Sequence, residues 1–508
     1  MRLGVAALIA ACSGVLGSLA FEPLAIPYAL VLALALLFAV LRRVQDWRWT
    51  RVYGLGLVWA LGFYGPLIWW MRAVSDGAYI ALVIAQAVIF GVIAVGLRAV
   101  AVLPAWPWLM PAVWLLGEQV RGSFPFTGFP WGRLAYTAID TPLESWVRLV
   151  GMPATGFLMA CLATALLLIA DAAATARRSA LAVFLALFAL GAVLPTGVAG
   201  ADGQARIALV QGDVPGEFLR WPRGAIFALH AEETRRLVER IDAGQTPRPD
   251  AVIWPENSSD TDPRHSYEES ETLNRLVADL GAPILVGGLL DGPRMGTAEN
   301  AGLVWNEDGP GEKYVKRKPV PYGEYVPFRD ELGGLVPRFD RDIPRDMVAG
   351  HEPGALMLGG IRVGDTICYD IAFDSVVRQA IADDAQVLVV QTSNAAFTGT
   401  AQPAQQWAIS RLRAIETGRW VLVPSTNGTS GIVDASGQVV QRAPERQPAT
   451  VEGDVPLASG TTPAAHLARP LAWLLVTLGV MGWVFALATG RGERRDWLSD
   501  DLGHRADL

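Results

Sequence analysis

Long apolar runs fill most of the first two hundred residues of the 508-residue chain, and one more lies near its end. A membrane-spanning helix needs roughly 20 consecutive apolar residues, and most of these runs reach that length. The pattern predicts seven transmembrane helices in a membrane domain of residues 1–201, an eighth at 466–490 and a tail at 491–508. The apolar runs are 3–19, 24–41, 53–71, 79–102, 106–116, 147–170, 181–194 and 467–489.

The block between these runs, residues 202–465, has a different pattern. Short apolar segments rich in β-branched residues alternate there with amphipathic segments at helical spacing. Such alternation is typical of helices packed over sheets, and the block is long enough for one sizeable domain. The sequence therefore predicts an α/β domain fused to a polytopic α-helical membrane domain of about eight transmembrane helices.

Arginines are unevenly divided between the two ends of the predicted spans. If the N-terminus is cytoplasmic, most arginines of the short loops and the tail lie on the cytoplasmic side. The positive-inside rule then puts both termini in the cytoplasm and, after seven crossings, residues 202–465 on the extracytoplasmic side. The arginines on the cytoplasmic side are Arg42, Arg43, Arg48, Arg51, Arg98, Arg177, Arg178, Arg491, Arg494 and Arg495.

Composition argues against nucleic-acid binding and against a disulfide-stabilised fold. The formal net charge of −7 leaves no basic surface for nucleic acid. Of the three cysteines, Cys12 and Cys161 lie inside apolar runs, so no disulfide framework is indicated. Cys368 is the one cysteine of the extramembrane block.

Three predicted strand ends in that block carry reactive side chains. Glu256 follows a strand that stops at a proline, Lys316 lies in a lysine-rich segment, and Cys368 lies at a predicted strand-to-helix corner. Taken singly, the three have ordinary explanations: a solvated carboxylate, an exposed charged edge and a small core residue. Together they are the parts of a cysteine acyl-transfer site, in which a carboxylate moves the proton and a cation stabilises the oxyanion.

The local motifs then point to a family. Trp-Pro-Glu ending at Glu256, Ile-Cys-Tyr-Asp around Cys368, and Lys316 eight residues before Glu324 resemble the Glu-Lys-Cys triad of the nitrilase superfamily. The apolar spans and the segment Thr-Gly-Phe-Pro-Trp at 127–131 narrow the resemblance to the apolipoprotein N-acyltransferase family, over nearly the whole chain. The resemblance implies that residues 202–465 form a nitrilase-like αββα sandwich.

The resemblance also implies a role for each matched residue. Glu256 would be the general base, Lys316 the oxyanion-stabilising cation and Cys368 the nucleophile. It implies neither a metal nor a cofactor. The matched supporting or substrate-binding residues are Glu324, Tyr369, Asp370 and Trp221, the last in a segment resembling a mobile substrate loop.

Two positions depart from the family pattern. Asp370 stands where better-known members carry glutamate, which keeps the charge and shortens the side chain by one methylene. The segment Ser-Asn-Ala-Ala-Phe-Thr-Gly at 393–399 lacks the aspartate and the tryptophan of the family's Ser-Asn-Asp-Ala-Trp-Phe-Gly. Both differences concern substrate contacts and leave the triad intact.

The activity implied by the resemblance is ping-pong acyl transfer. Cys368 would take a fatty acyl chain from a phospholipid as a thioester and pass it to the α-amine of a lipoprotein's diacylglyceryl-cysteine. The implied setting is a monomer in the bacterial plasma membrane, with the bilayer, the phospholipid donor and the lipoprotein acceptor as partners.

Two other functions stay open on the residues alone. A membrane-tethered amidase would use the same triad with water as the second nucleophile, although a tether needs one span. A transporter or lipid-binding protein would not need the triad, but few ionisable residues interrupt the apolar runs. Apolar residues after Glu324 form either a lid dipping into lipid or ordinary packing: Val326, Phe328, Leu332, Leu335, Val336 and Phe339.

Overall fold

The computed structural model describes residues 1–171, 173–216, 221–332, 341 and 343–503. All eight apolar runs form helices within these residues. The first seven helices are α1 (Leu3–Ser18), α2 (Ala29–Arg43), α3 (Trp49–Leu67), α4 (Asp76–Val100), α5 (Trp106–Arg121), α6 (Trp146–Asp171) and α7 (Ala174–Val193).

Four described helices are long and apolar enough to cross a membrane: Asp76–Val100, Trp146–Ala170, Thr175–Val193 and Pro463–Thr489. Of the other four, α1, α2 and α5 have 15 or 16 residues, and α3 has 19 residues. The N-terminal part is therefore a helical region with several apolar helices, as expected of a membrane protein. The count of eight spans stays a prediction.

The following block folds into two mixed sheets. The first is seven-stranded, in the order β13-β1-β2-β3-β4-β5 with β6 paired to β4, and the second is six-stranded, in the order β12-β11-β10-β9-β8-β7. The strands are β1 (Gln204–Gln211), β2 (Ala251–Ile253), β3 (Ile284–Asp291), β4 (Thr297–Asn306), β5 (Gly309–Val315), β6 (Asp346–Met347), β7 (Ala355–Leu358), β8 (Ile361–Ile367), β9 (Val387–Gln391), β10 (Val421–Val423), β11 (Gly431–Val433), β12 (Val439–Arg442) and β13 (Ala449–Pro456).

Helices cover the outer faces of both sheets, so the domain is a four-layer α/β sandwich. Side chains of α8 and α9 share a core with outward-facing residues of the first sheet, such as Trp254 and Trp305. Helices α11 and α12 pack on β8 and β10 of the second sheet. The block's helices are α8 (Ala225–Asp242), α9 (Tyr267–Leu280), α10 (Arg329–Leu332), α11 (Asp374–Ala382) and α12 (Gln402–Thr417), and α13 (Pro463–Gly503) follows.

Parallel pairing brings the reactive strand ends together. Strands β1, β2 and β3 run parallel in the first sheet, and β8, β9 and β10 run parallel in the second. Parallel strands present their carboxyl ends at one edge of a sheet, where loops can build a site. Because the two sheets face each other, groups from both can meet there.

The helical region and the sandwich are joined through polar groups. The Gln405 side chain on α12 accepts hydrogen bonds from the indole N–H groups of Trp70 (3.0 Å) and Trp131 (2.7 Å). Trp131 is buried at this joint and is not among the described lining residues of the large cavity below. A buried tryptophan N–H usually has an acceptor, and here the glutamine supplies one for both rings.

Candidate active site

Cys368 occupies the corner predicted for it. Strand β8 ends at Ile367, and a short 3-10 helix, Cys368–Ala372, begins at the cysteine. The φ of Cys368 is 52°, in the left-handed region that a side chain other than glycine adopts only at a cost of about 1–3 kcal/mol. Its side chain is partly exposed, whereas the rest of the turn is buried.

Lys316 lies between two carboxylates. Its Nζ donates to Oε1 of Glu256 and to Oε1 of Glu324, both at 3.0 Å. The Asn300 side-chain N–H donates to the same two oxygens at 2.8 Å each. Lys316, Glu256 and Asn300 are all buried, so this is a four-membered polar network in a water-poor setting.

Backbone amides hold the second oxygen of each glutamate. The Ser393 N–H, just after β9, donates to Oε2 of Glu256 at 3.0 Å. The Val320 N–H donates to Oε2 of Glu324 at 2.7 Å. Lys316 is fixed by its own N–H, which donates to the Asn300 carbonyl at 2.8 Å. Both sheets thus contribute to the network, since Glu256 follows β2 and Ser393 follows β9.

The network controls the protonation of the thiol and the amine. Burial and the Glu256 carboxylate raise the pKa of Cys368 to about 12, against the opposing effects of Lys316 and of a hydrogen bond with Thr392. Burial favours neutral Lys316, but Glu256 and Glu324 outweigh it and raise its pKa well above the usual value. At neutral pH the resting site therefore holds a thiol and an ammonium ion, and the thiol needs a base to react.

Tyr369 and Asp370 connect the corner to its surroundings. The Tyr369 hydroxyl donates to the Gly128 carbonyl at 2.8 Å, across the joint to the helical region. Asp370 accepts hydrogen bonds from the Tyr314 hydroxyl (2.8 Å) and the Lys318 N–H (2.9 Å), which flank Lys316. Burial raises the pKa of Asp370 to about 6. Neither residue is among the described lining residues of the cavity, and their contact with substrate stays a prediction.

A cavity of about 2080 Å³ opens in front of Cys368. Glu256, Lys316, Glu324 and Trp221 line it together with Cys368, so five of the seven predicted site residues face one space. Part of its lining comes from the helical region, at the turn between α3 and α4 and at the start of α4. Those residues are Ala73, Val74, Ser75, Gly77, Ala78 and Ala81.

The proposed lid is described only in part. Val326 is buried, whereas the Phe328 ring is exposed and lies 5.9 Å from the ring of Phe126. Leu335, Val336 and Phe339, together with the side chain of Leu332, lie outside the described residues. The choice between lid and packing stays open for that segment.

Both regions of the chain are similar in sequence to known protein families. Residues 13–165 match the family model for the apolipoprotein N-acyltransferase N-terminal domain, and residues 206–462 match the carbon-nitrogen hydrolase model. An apolipoprotein N-acyltransferase of Mycolicibacterium smegmatis is 33% identical over 92% of this chain and 83% of its own length. The chain belongs to the apolipoprotein N-acyltransferase family.

Other relatives agree with this membership. An apolipoprotein N-acyltransferase of Azotobacter vinelandii is 30% identical over 96% of both chains. Among solved structures, a CN-hydrolase superfamily protein of Xanthomonas campestris covers 54% of this chain and 95% of its own, at 22% identity and a TM-score of 0.37. The family models therefore carry the assignment of a carbon-nitrogen hydrolase fold, and the chain is an enzyme.

The segment that departs from the family pattern lies beside the site. Ala395, Ala396 and Phe397, in residues 393–399, line the cavity where other members carry an aspartate and a tryptophan. The Phe397 ring packs edge-on against Trp70 at 5.4 Å. Thr398 of the same segment also lines the cavity, so this part of the lining has polar as well as apolar groups.

Sequence reasoning missed several members of the network. Asn300, Thr392 and the Ser393 amide were not among the predicted site residues, although each contacts a triad residue. A signal for Asn300 exists: it begins the buried stretch Asn-Ala-Gly-Leu-Val-Trp of β4, in which every other residue is apolar. An unpaired amide in a buried strand is costly, so its presence indicates a polar partner.

Proposed function

We propose that the enzyme transfers a fatty acyl chain from a phospholipid to the α-amine of a lipoprotein's diacylglyceryl-cysteine, through a thioester on Cys368. The single observation that carries this proposal is the cavity. It is lined both by Cys368, Glu256 and Lys316 and by residues at the α3–α4 turn of the apolar helical region. A site so placed can receive substrates that stay anchored in a bilayer.

In the first half-reaction, Glu256 accepts the thiol proton as the Cys368 sulfur attacks the ester carbonyl of the phospholipid. The Lys316 ammonium stabilises the negative oxygen of the tetrahedral intermediate. When the intermediate collapses, Glu256 returns the proton to the departing alkoxide, and lysophospholipid leaves. The products are a thioester on Cys368 and a free lysophospholipid.

In the second half-reaction, the α-amine of the lipoprotein attacks the thioester carbonyl. Glu256 accepts a proton from the amine, Lys316 again stabilises the oxyanion, and the thiol is released with a proton. Glu324 and Asn300 keep Lys316 and Glu256 in place throughout, because each bonds to the network by its own hydrogen bonds. A water-poor cavity favours attack by the amine over hydrolysis.

The membrane arrangement is part of the same proposal. Residues 202–465 form the catalytic domain on the extracytoplasmic side, residues 1–201 hold seven spans, and residues 466–490 hold the eighth. Both termini, including the tail 491–508, lie in the cytoplasm, and the enzyme works as a monomer in the bacterial plasma membrane. The uneven distribution of arginines supports this orientation.

The test is to trap and then discharge the thioester. Purified enzyme is incubated with isotope-labelled phospholipid and analysed by intact and peptide mass spectrometry, with Cys368→Ala as the inactive variant and Cys161→Ala as the control. We expect one acyl adduct on Cys368 in the wild type and in the control, and none in Cys368→Ala. Adding a diacylated lipopeptide then discharges the adduct into an amide.

Two results would contradict the proposal. Free fatty acid without amide product indicates the tethered amidase, with water as the second nucleophile. An adduct that forms equally in Cys368→Ala shows that another group carries the acyl chain.

A further inference from the structure

Asp365 is a buried carboxylate that the proposed reaction does not use. It lies in β8, three residues before Cys368, and has no exposed surface. Strand alternation puts it on the same face as Val363 and Ile367, toward the first sheet. Both of its carboxylate oxygens are buried without a hydrogen-bond partner among the described residues. A buried charge in that state is very costly, so the group needs an explanation.

Gln391, at the end of β9, supplies half of that explanation. Its side-chain N–H donates to the Trp254 carbonyl at 2.6 Å, across the space between the sheets. That bond fixes the amide orientation, because the flipped amide would set two carbonyl oxygens against each other. The Gln391 Oε1 is left buried, and no described residue donates to it.

Gly302 shows that the two unsatisfied groups face the same point. A Cβ on Gly302 would lie 2.0 Å from Oδ2 of Asp365 and 2.6 Å from Oε1 of Gln391. The carboxyl and the amide carbonyl therefore meet against one backbone position of β4. Two acceptor oxygens in such a place satisfy each other only if a hydrogen lies between them.

We propose that Asp365 is a neutral carboxylic acid whose hydroxyl donates to Oε1 of Gln391, and that this proton makes Asp365 a positioning residue of the active site. Gln391 is followed by Thr392 and Ser393, whose groups contact Cys368 and Glu256. Its other bond holds the carbonyl of Trp254, two residues before Glu256. The proton thus sets the distance between the strand ends that carry the base and the groups around the nucleophile.

The charges around Asp365 favour the neutral form. Burial raises the pKa of Asp365 well above its usual value, and the carboxylates of Asp370 and Glu256 add to the effect, with the Thr366 amide opposing it. Lys316, the cation of the site, is already bonded to Glu256 and Glu324. On the β5 side Tyr314 is neutral, since burial and Asp370 raise its pKa well above the usual value.

The raised pKa has a consequence for stability with a definite sign. The folded chain keeps the Asp365 proton at pH values where the unfolded chain has lost it. Stability is therefore fully present below the unfolded value of about 3.9 and falls as pH rises toward the folded value. An asparagine can donate the same hydrogen bond without titrating, so Asp365→Asn removes this slope.

The experiment compares wild type, Asp365→Asn, Asp365→Ala and the exposed control Asp308→Asn as full-length enzyme in detergent. Thermal unfolding is measured against pH, and infrared difference spectra report the carbonyl band of a protonated carboxylic acid. We expect Asp365→Asn to lose that band and to flatten the pH slope of stability, while Asp308→Asn changes neither. Neither readout depends on turnover, so failure of this inference and failure of the proposed acyl transfer are distinguishable.

Activity supplies the readout for positioning, and this part rests on the proposed function. We expect Asp365→Asn to keep kcat close to wild type. Asp365→Ala leaves Gln391 unpaired and should lower kcat by about tenfold, the effect of one lost buried hydrogen bond, with KM for phospholipid little changed. If Asp365→Asn retains the infrared band, keeps the wild-type pH slope of stability or is as slow as Asp365→Ala, the inference is wrong. If Asp365→Ala does not fold, the Asp365→Asn readouts decide alone.

Discussion

Two buried ion networks of similar size serve this enzyme in different ways. One is the site network of Glu256, Lys316, Glu324 and Asn300, which faces the cavity. The other, here called the joint network, lies where the helical region meets the sandwich. It consists of Arg133, Asp374, Arg413 and Glu416.

The two networks differ in charge balance. In the joint network, two arginines face two carboxylates, and the nitrogens of Arg413 also donate to the backbone carbonyls of Ile371 (3.0 Å) and Ala372 (3.1 Å). In spite of burial, the arginines hold the pKa of Asp374 well below its usual value. Asp374 is therefore ionised at neutral pH, and each carboxylate of the joint network faces an arginine.

The site network has one cation for two carboxylates and lies beside a thiol. Its excess negative charge contributes to the raised pKa of Cys368. The charge-balanced joint network holds the helical region and the sandwich together. The site network, with its excess negative charge beside an open cavity, can transfer protons. Burial and ion pairing alone would not distinguish the two.

The largest expected effect comes from removing the one cation of the site network. Lys316→Met leaves Glu256 and Glu324 adjacent without a counter-ion and removes the oxyanion-stabilising group. We expect acyl transfer to lipopeptide to fall by about 10³-fold, the upper range for a lost oxyanion donor. The rate of amide formation in detergent with labelled phospholipid measures it.

Lys313→Met is the matched control for this variant. Lys313 lies on β5, three residues before Lys316, and pairs with Glu299, away from the cavity lining. It should change the rate by less than about threefold, as expected of a peripheral ion pair. A Lys316→Met enzyme with near-normal activity would remove the distinction between the two networks.

The second variant tests the joint network. Arg413→Met leaves Glu416 without its cation and the carbonyls of Ile371 and Ala372 without a donor. We expect the free energy of unfolding to fall by about 3 kcal/mol, the cost of breaking a buried pair. The enzyme that stays folded should keep most of its activity. Urea or thermal unfolding and specific activity per folded molecule measure the two quantities.

Arg411→Met, on the same helix, is the control for Arg413→Met. Arg411 pairs with Asp140, whose side chain is largely exposed, so its loss should cost less than about 1 kcal/mol. If Arg413→Met abolishes activity while leaving stability unchanged, the joint network has a part in catalysis that charge balance does not explain.

The sequence was sufficient to predict the reactive residues at the strand ends. It was insufficient to place the polar residues within the strands. Glu256 and Lys316 could be predicted because proline and lysine mark the ends of β2 and β5. Asn300 and Asp365 could not be placed, because a polar residue within a strand faces solvent or the other sheet according to sheet packing. That packing depends on contacts distant in sequence, such as the approach of Gly302 to Asp365.

The helical region shows the same limit. Apolar runs predicted every helix, and the helices formed where expected. The lengths of the helices could not be predicted in the same way, because turns with left-handed backbone geometry interrupt the apolar runs. For example, α2 begins only after Tyr28, whose φ is 61°, although its apolar run begins at residue 24. Apolarity indicates which segments form these helices, and local backbone geometry fixes how long each helix is.

The smallest expected effect is at Tyr369, which lies in the chain between Cys368 and the Ile371 and Ala372 carbonyls bonded to Arg413. The Tyr369 hydroxyl, next to Cys368, donates to the Gly128 carbonyl of the helical region, and its ring contacts Phe373 at 4.9 Å. Tyr369→Phe removes the hydrogen bond and keeps the ring. We expect the free energy of unfolding to fall by about 1 kcal/mol and the rate of acyl transfer by less than about tenfold.

Tyr136→Phe, which removes a bond to the Ala372 carbonyl across the same joint, is the matched control. A large rate loss confined to Tyr369→Phe would show that the hydroxyl acts on Cys368 and not only on the joint.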